Sequence, residues 1–168
     1  MAEFMVRMGE HAVSSVAGDV LVSLGLGSCI GLVLLDRRAA VAGLAHVVLP
    51  ALVGRDTSTP GKFADTAAEA LLAAMERLGA RRTRVEAVLV GGASMFGSAS
   101  AGLEVGQRND VAVRAELARL RIPVAAAETG GSEGRTVRVA LESGRVTAKP
   151  AGGEEQELYA GWKARVQA

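Results

Sequence analysis

Two short apolar runs with a polar interval between them constrain the fold of this chain most strongly. The runs cover residues 29–35 and 41–49, and the interval is Asp36-Arg37-Arg38-Ala39. Runs of this length that are rich in Val and Leu are typical of buried strands. The pair therefore predicts a β-hairpin that lies inside the protein.

Shorter apolar runs on both sides of the hairpin predict further strands. They cover residues 19–24, 85–90, 124–127, 136–141 and 146–149. Hydrophobic residues make up 49% of the chain and aromatic residues only 3%, so Ala, Val and Leu must fill the core. From residue 154 to residue 168 the chain is polar and rich in Glu, which predicts a loose tail or a short terminal helix.

Two segments have the pattern of helices. The first is predicted to have Thr59 as its N-cap and Gly79 as its stop, with an apolar stripe at helical spacing between them. The second is predicted to begin near Asn109 or Asp110 and to end before Pro123. The order of the elements predicts a single α/β domain over all 168 residues. We expect a layered sandwich of mixed, largely antiparallel sheets with two main helices.

Charge and composition exclude several classes of function. The formal net charge is +1, and the basic cluster Arg81-Arg82-Thr83-Arg84 has no interleaved aromatic residues, so no nucleic-acid partner is expected. No apolar run is long enough to span a bilayer, and the N-terminal residues lack the apolar segment of a secretion signal. The single cysteine rules out an intrachain disulfide. We expect a cytoplasmic protein with no membrane insertion.

The single cysteine, Cys29, follows a glycine-rich turn at the start of the first apolar run, and His46 lies in the second run. A hairpin centred between Arg37 and Arg38 would place Cys29 directly opposite His46. Their Cβ atoms would then be about 4.5–5.5 Å apart on one face of the sheet. Arg-Arg is a poor two-residue turn, however, so a longer or bulged loop is the alternative. A register shift of one residue would move the two side chains to opposite faces.

A thiol beside an imidazole has the chemistry of a nucleophile with its general base. The backbone N–H groups of Gly27 and Ser28 are candidates to bind a developing oxyanion. Ser23 is the nearest hydroxyl in the preceding strand and a candidate third group to hold the imidazole. Structural alternatives stay open here: Cys29 as a small buried hydrophobe, His46 bonded to a carbonyl in the core, and Ser23 bonded locally.

Two other kinds of site are not expected. Gly25, Gly27 and Gly31 have the wrong spacing for a dinucleotide-binding loop, and strand-like sequence follows them where a helix would be needed. Two histidines and one cysteine, without a carboxylate at ligand spacing, do not predict a metal site. We therefore expect neither a metal nor a cofactor.

Several short motifs occur in an order typical of one protein family. They are Leu24-Gly25-Leu26-Gly27-Ser28-Cys29, Ala45-His46-Val47-Val48-Leu49-Pro50, Pro60-Gly61-Lys62-Phe63-Ala64-Asp65-Thr66-Ala67, Gly91-Gly92-Ala93-Ser94-Met95-Phe96, Gly106-Gln107-Arg108-Asn109 and Glu128-Thr129-Gly130-Gly131. From Gly9 to Gly153 the chain resembles the CheD family of bacterial chemoreceptor glutamine deamidases.

The resemblance implies a function and a set of residue roles. CheD-like proteins are hydrolases of chemotaxis signal transduction that convert glutamines of methyl-accepting receptors to glutamate, without a cofactor. The cytoplasmic helices of a chemoreceptor would be the substrate. The nucleophile corresponds to Cys29, the base to His46 and the third catalytic position, typically a threonine, to Ser23. The implied fold is similar to the catalytic domain of bacterial cytotoxic necrotizing factors.

The resemblance also implies a second class of function. Some CheD-like proteins bind and stimulate a CheC-type phosphatase that acts on phosphorylated CheY, so regulatory binding is the alternative main output. The same dyad also suits thiol-protease or transglutaminase chemistry, because these reactions share the thioester and differ only in substrate and acceptor. Release of ammonia that depends on Cys29 would favour the deamidase over the regulatory protein.

Overall fold

The computed structural model describes residues 2–52, 54, 57–94 and 104–162. Within these ranges it has ten strands and two α-helices, with 3-10 turns at Pro60–Lys62 and Arg82–Arg84. The strands are β1 Glu3–Met5, β2 His11–Ser14, β3 Val20–Leu26, β4 Ile30–Asp36, β5 Val41–Val47, β6 Glu86–Gly91, β7 Val124–Thr129, β8 Arg135–Ala140, β9 Arg145–Pro150 and β10 Gln156–Tyr159. The helices are α1 Ala64–Arg77 and α2 Val105–Arg119.

The strands form two five-stranded sheets that pack face to face. The first sheet has the order β1-β3-β8-β9-β10 and the second the order β2-β5-β4-β6-β7. The pairs β1–β3 and β6–β7 are parallel, and the other pairs are antiparallel. Both helices cover the face of the second sheet that points away from the first. The predicted α/β fold with mixed sheets and two helices is confirmed, and the similarity to cytotoxic necrotizing factors stays a prediction.

Strand β4 lies between β5 and β6 and is buried on both faces. Ile30, Leu32 and Leu34 join the apolar cluster beneath the helices. Val33 and Leu35 join the apolar cluster between the two sheets. Because both faces are buried, the strand reads in the sequence as a continuous apolar run with no polar alternation.

The turn between β4 and β5 is longer than predicted. Asp36 pairs with Val41, so four residues, Arg37–Ala40, form the loop where a two-residue turn was expected. The Asp36 carboxylate accepts the backbone N–H groups of Arg38 and Ala39, which is the way an aspartate commonly closes a loop. The register of the hairpin therefore differs by two residues from the predicted one.

Both helices begin elsewhere than predicted. The Thr59 side chain does not cap, and α1 begins at Ala64 after the extended residue Phe63. The intervening turn is held against the end of β5, because the N–H of Val48 donates to the carbonyl of Lys62. Helix α2 begins at Val105, so Asn109 is a buried residue inside the helix and not its cap.

Strands near both termini were not predicted from the sequence. β1 and β2 extend the two sheets at their edges, and β10 pairs with β9 where a loose tail or a helix was expected. Tyr159 is buried, and its hydroxyl donates to Glu86 and accepts from Arg37, so distant partners order this segment. No helix within the described residues is both long enough and apolar enough to cross a bilayer.

Candidate active site

Cys29 and His46 lie on the same face of the second sheet but not directly opposite each other. Gly31 is the residue that pairs with His46, so Cys29 is its diagonal neighbour, just before β4 begins. Diagonal neighbours are roughly 7–8 Å apart at the backbone, within reach of an aromatic ring. The predicted direct opposition is therefore wrong, but the shift of two residues preserves the shared face because side chains alternate with a period of two.

The shared face of Cys29 and His46 points toward the first sheet. Cys29 joins the apolar cluster between the sheets, and the His46 ring reaches the segment that follows β1. Gly31 lets the side chains of Leu26 and Val137 pack against β4, since a Cβ atom there would lie 2.9 Å from the Leu26 side chain and 3.1 Å from that of Val137. The glycine that looked like part of a nucleotide loop is therefore a packing residue.

A backbone carbonyl orients the His46 imidazole. Nδ1 lies 3.1 Å from the carbonyl oxygen of Val6, and a carbonyl can only accept, so Nδ1 carries the proton. The neutral ring then has its lone pair on Nε2, the form that a general base requires. Burial lowers the pKa of His46 below its ordinary value, against smaller opposing contributions from the Val6 hydrogen bond and Glu10.

The Cys29 thiol is nearly enclosed. The residue is 9% exposed, and burial raises the pKa of the thiol above its ordinary value. A thiol with a raised pKa stays protonated near neutral pH and needs a base to become a nucleophile. Burial thus shifts both the Cys29 thiol and the His46 imidazole toward their neutral forms.

Ser23 is fully buried on β3 and reaches the same carbonyl as His46. Its hydroxyl donates to the Val6 carbonyl oxygen at 2.8 Å. The backbone N–H of Val6 in turn donates to the carbonyl of Val22, which holds this segment beside β3. The structure therefore brings Ser23 and His46 together through a common acceptor. Sequence reasoning missed Val6 because it acts through its backbone, which leaves no signature in a side-chain pattern.

The loop of residues 27–29 precedes β4 and carries the candidate oxyanion groups. Its three carbonyls are all hydrogen-bonded: Ala93 N–H donates to Gly27, the Asn109 amide to Ser28 and Gly92 N–H to Cys29. Within the described residues no backbone acceptor engages the N–H groups of this loop. The three carbonyls are thus directed into the protein.

Comparison with known proteins assigns the chain to a family. The family model described as "CheD chemotactic sensory transduction" matches residues 48–150. This chain belongs to the CheD family. It is 41% identical over 152 residues to the "Chemoreceptor glutamine deamidase CheD" of Thermotoga maritima, covering 90% of this chain and 94% of that protein.

Further relatives in the CheD family cover similar lengths. The "Probable chemoreceptor glutamine deamidase CheD" of Symbiobacterium thermophilum is 44% identical over 157 residues, 91% of this chain and 95% of that protein. The protein of the same name from Moorella thermoacetica is 46% identical over 154 residues, which cover 89% of this chain and 92% of that protein. Similarity over nearly the full length of each relative confirms the family that the sequence motifs indicated.

The CheD motifs in this chain converge on the loop before β4. Gly91 and Gly92 have positive φ angles, 114° and 64°, and a Cβ atom on Gly91 would lie 2.2 Å from the Cys29 carbonyl oxygen. Gly106 lies against the same segment, since its Cβ would be 2.4 Å from the carbonyl oxygen of Ala93. Met95 and Phe96 lie outside the described residues. The glycines of these motifs thus let the end of β6 approach the loop of residues 27–29 closely, and let α2 approach the residues that follow β6.

Proposed function

We propose that this CheD-family protein is a protein-glutamine deamidase that converts glutamines of chemotaxis receptors to glutamate. Cys29 acts as nucleophile and His46 as general base. The observation that carries the proposal is the hydrogen bond from His46 Nδ1 to the Val6 carbonyl, which leaves Nε2 as an acceptor on the face that also bears Cys29. The names of the relatives, chemoreceptor glutamine deamidases, support the choice of substrate.

The first half-reaction forms a thioester. His46 Nε2 takes the thiol proton as the Cys29 sulfur attacks the carboxamide carbon, so a C–S bond forms and the carbonyl π electrons move to oxygen. The N–H groups of Gly27 and Ser28 are proposed to stabilise that oxyanion. When the tetrahedral intermediate collapses, the C–N bond breaks and the nitrogen takes the proton from the imidazolium. Ammonia leaves, and the acyl group stays on sulfur.

The second half-reaction consumes water. His46 Nε2 takes a proton from a water molecule whose oxygen attacks the thioester carbon. The C–S bond then breaks, the sulfur recovers the proton, and a glutamate side chain is released. Glutamine and water thus give glutamate and ammonia, with no electron transfer and no requirement for a metal or cofactor. Ser23 is proposed to support the Val6 carbonyl and not to exchange protons.

Incubation of the full chain with the cytoplasmic fragment of a chemoreceptor tests the proposal. We expect ammonia release, and conversion of specific glutamines to glutamate in peptide mass maps. Cys29→Ala should abolish both, and His46→Gln should lower kcat by about 10²–10⁴-fold, the usual contribution of a positioned general base. His11→Gln is the matched control, because His11 is exposed and pairs with Ala45, whose side chain lies on the opposite face of the sheet from His46.

Retention of ammonia release by Cys29→Ala would overturn this mechanism. Cleavage of receptor peptide bonds, or isopeptide formation with an added amine in preference to hydrolysis, would reassign the chemistry to a protease or a transglutaminase. The regulatory alternative, binding of a CheC-type phosphatase, stays a prediction from the resemblance. If wild-type protein releases no ammonia but binds and stimulates such a phosphatase, the regulatory function replaces the deamidase.

A further inference from the structure

Asn109 is a CheD motif residue that the mechanism above does not use. It lies in the second turn of α2 and is fully buried, whereas its neighbours Gln107 and Arg108 are exposed. Its amide nitrogen Nδ2 lies 3.0 Å from the carbonyl oxygen of Ser28 and 2.9 Å from that of Val48. Ser28 precedes Cys29, and Val48 follows His46 by two residues. One side chain therefore contacts both segments that carry the dyad.

These two contacts take the place of β4–β5 hydrogen bonds beyond the end of the strand ladder. The β4–β5 ladder ends at the pair of Ile30 and Val47. Beyond that pair, the carbonyls of Ser28 and Val48 both accept from Asn109 and cannot bond to each other. A side chain that satisfies both must donate two hydrogen bonds, and the NH2 group of a primary amide has the two hydrogens for this. The two carbonyl partners also fix which amide atom is nitrogen.

Helix α2 provides a rigid base for this contact. Gly106 approaches the backbone of Gly92 and Ala93 so closely that any side chain there would clash. The N–H groups of the same two residues donate to the carbonyls of Cys29 and Gly27. On the other side, the Val48 peptide is held because its N–H donates to Lys62 at 2.8 Å. The Asn109 amide is thus placed between two anchored segments.

We propose that Asn109 is a positioning residue: its amide bridges Ser28 and Val48 and thereby sets the separation of the Cys29 thiol from the His46 imidazole. The proposal rests on the dyad of the proposed function and extends it to α2. The diagonal placement of the two side chains makes their separation sensitive to opening of the hairpin end. Asn109 itself is enclosed and does not contact substrate.

Three variants and one matched control test this role in the full chain. Asn109→Asp keeps the shape and removes both donors, Asn109→Ala removes the contact, and Asn109→Ser keeps a single donor. Val113→Ala is the control, because Val113 is equally buried one turn further along α2 and packs in the cluster beneath the helices. All are compared well below their Tm, with kcat and KM for ammonia release and the rate of Cys29 alkylation by iodoacetamide.

We expect a selective loss of kcat. A displacement of about 1 Å between reacting groups costs up to about 10²-fold in rate, so Asn109→Asp and Asn109→Ala should lower kcat by about 10–100-fold with KM nearly unchanged. Asn109→Ser should be intermediate and Val113→Ala close to wild type. Acidification should partly restore Asn109→Asp, since a protonated carboxyl can donate one hydrogen bond, whereas wild-type activity falls as His46 is protonated.

Alkylation tests the bridge without any substrate. When the hairpin end opens, water and iodoacetamide gain access to the enclosed thiol, so the Asn109 variants should be alkylated several-fold faster than Val113→Ala. If Asn109→Asp and Asn109→Ala fail to fold, Asn109→Ser decides the question alone. Equal kcat and equal alkylation in the Asn109 variants and Val113→Ala would overturn the proposal. A raised KM with unchanged kcat would also overturn it, because that result indicates a substrate contact.

The two proposals fail in different ways. If Cys29→Ala is active, the dyad is not the catalyst. The alkylation rates of the Asn109 variants still decide whether the Asn109 amide holds the loop of residues 27–29 closed. An inactive Cys29→Ala variant together with fully active Asn109 variants keeps the dyad and removes the positioning role.

Discussion

The two ends of the β4–β5 hairpin bury polar groups in opposite ways. At the turn end, the Asp36 carboxylate is fully buried and accepts hydrogen bonds from the backbone of Arg38, Ala39 and Arg81 and from the Arg84 guanidinium. At the open end, no described residue is hydrogen-bonded to the Cys29 thiol, to His46 Nε2 or to Asn109 Oδ1.

The pKa values differ accordingly. Burial alone would raise the pKa of Asp36, but the hydrogen bonds from Arg84, Arg81 and Ala39 lower it, so the carboxylate stays charged. At the open end burial prevails, and it shifts both Cys29 and His46 toward their neutral forms. The same hairpin therefore has one end where a buried carboxylate is held charged by its hydrogen bonds, and one end where burial keeps the thiol and the imidazole toward their neutral forms.

The largest effect on stability is expected from the turn end. Asp36→Asn removes the charge opposite Arg84 and turns an amide toward backbone donors. Removal of one partner from a buried, hydrogen-bonded ion pair costs about 3 kcal/mol in the free energy of unfolding. Urea unfolding monitored by circular dichroism measures this loss. Ammonia release per folded molecule should stay within about twofold of wild type, because the site is at the other end of the hairpin.

Asp65→Asn is the control for that variant. Asp65 is exposed and, among the residues that the structure describes, accepts a backbone hydrogen bond from Leu52, so its loss should change stability by less than about 1 kcal/mol. Equal effects of the two substitutions would show that the buried network at the turn end contributes no more than a surface contact.

A smaller, pH-dependent effect on the free energy of unfolding is expected from His46 at the open end of the hairpin. The pKa of His46 is lower in the folded protein than in the unfolded chain, so the folded state resists protonation. Its contribution to stability is present above the unfolded pKa of about 6.5 and is lost as pH falls through the folded pKa. The slope is at most about 1.4 kcal/mol per pH unit for one proton. His46→Gln should lose this slope, and His11→Gln should keep it.

The contribution of the Cys29 thiol to stability changes with pH in the opposite direction. Because burial raises the pKa of Cys29, its contribution is present below the unfolded thiol pKa and is lost as pH rises through the folded one. Cys29→Ala should therefore flatten the alkaline side of the stability profile only.

A profile in which His46→Gln and wild type lose stability equally below pH 6.5 would contradict the depressed pKa of the imidazole.

The smallest effect on stability is expected from substitution of Ser23. Ser23→Ala leaves the Val6 carbonyl with the His46 hydrogen bond alone, at a cost of about 1 kcal/mol in stability and a several-fold decrease in kcat. Ser23→Thr keeps the hydroxyl and should restore kcat if the added methyl packs. Ser14→Ala is the control, since Ser14 is another buried serine, bonded to Asp19. Inactivity of Ser23→Ala as complete as that of Cys29→Ala would indicate a chemical role for the hydroxyl.

Sequence reasoning recovered the main elements and the placement of Cys29 and His46 on the same face of the sheet. It did so although the turn was wrong, because the Asp36 loop added two residues and an even shift leaves every side chain on its original face. Helix starts and terminal strands were missed where distant contacts decide the conformation. Phe63 and Tyr159 lie in such segments, and neither has a local signal that outweighs the tertiary one.

The sequence by itself determined the buried hairpin, the positions of the apolar runs along the chain and the family motifs. These features depend on short-range periodicity and on side-chain identity. The tertiary structure decided what supports the proposed dyad. The carbonyl that orients His46 is 40 residues away, and the amide of Asn109 joins segments 61 and 81 residues away. Val6 acts through a backbone atom that every residue possesses, and Asn109 acts across a gap that exists only once the helix packs on the sheet. Neither contact has a local pattern, so only the folded chain reveals them.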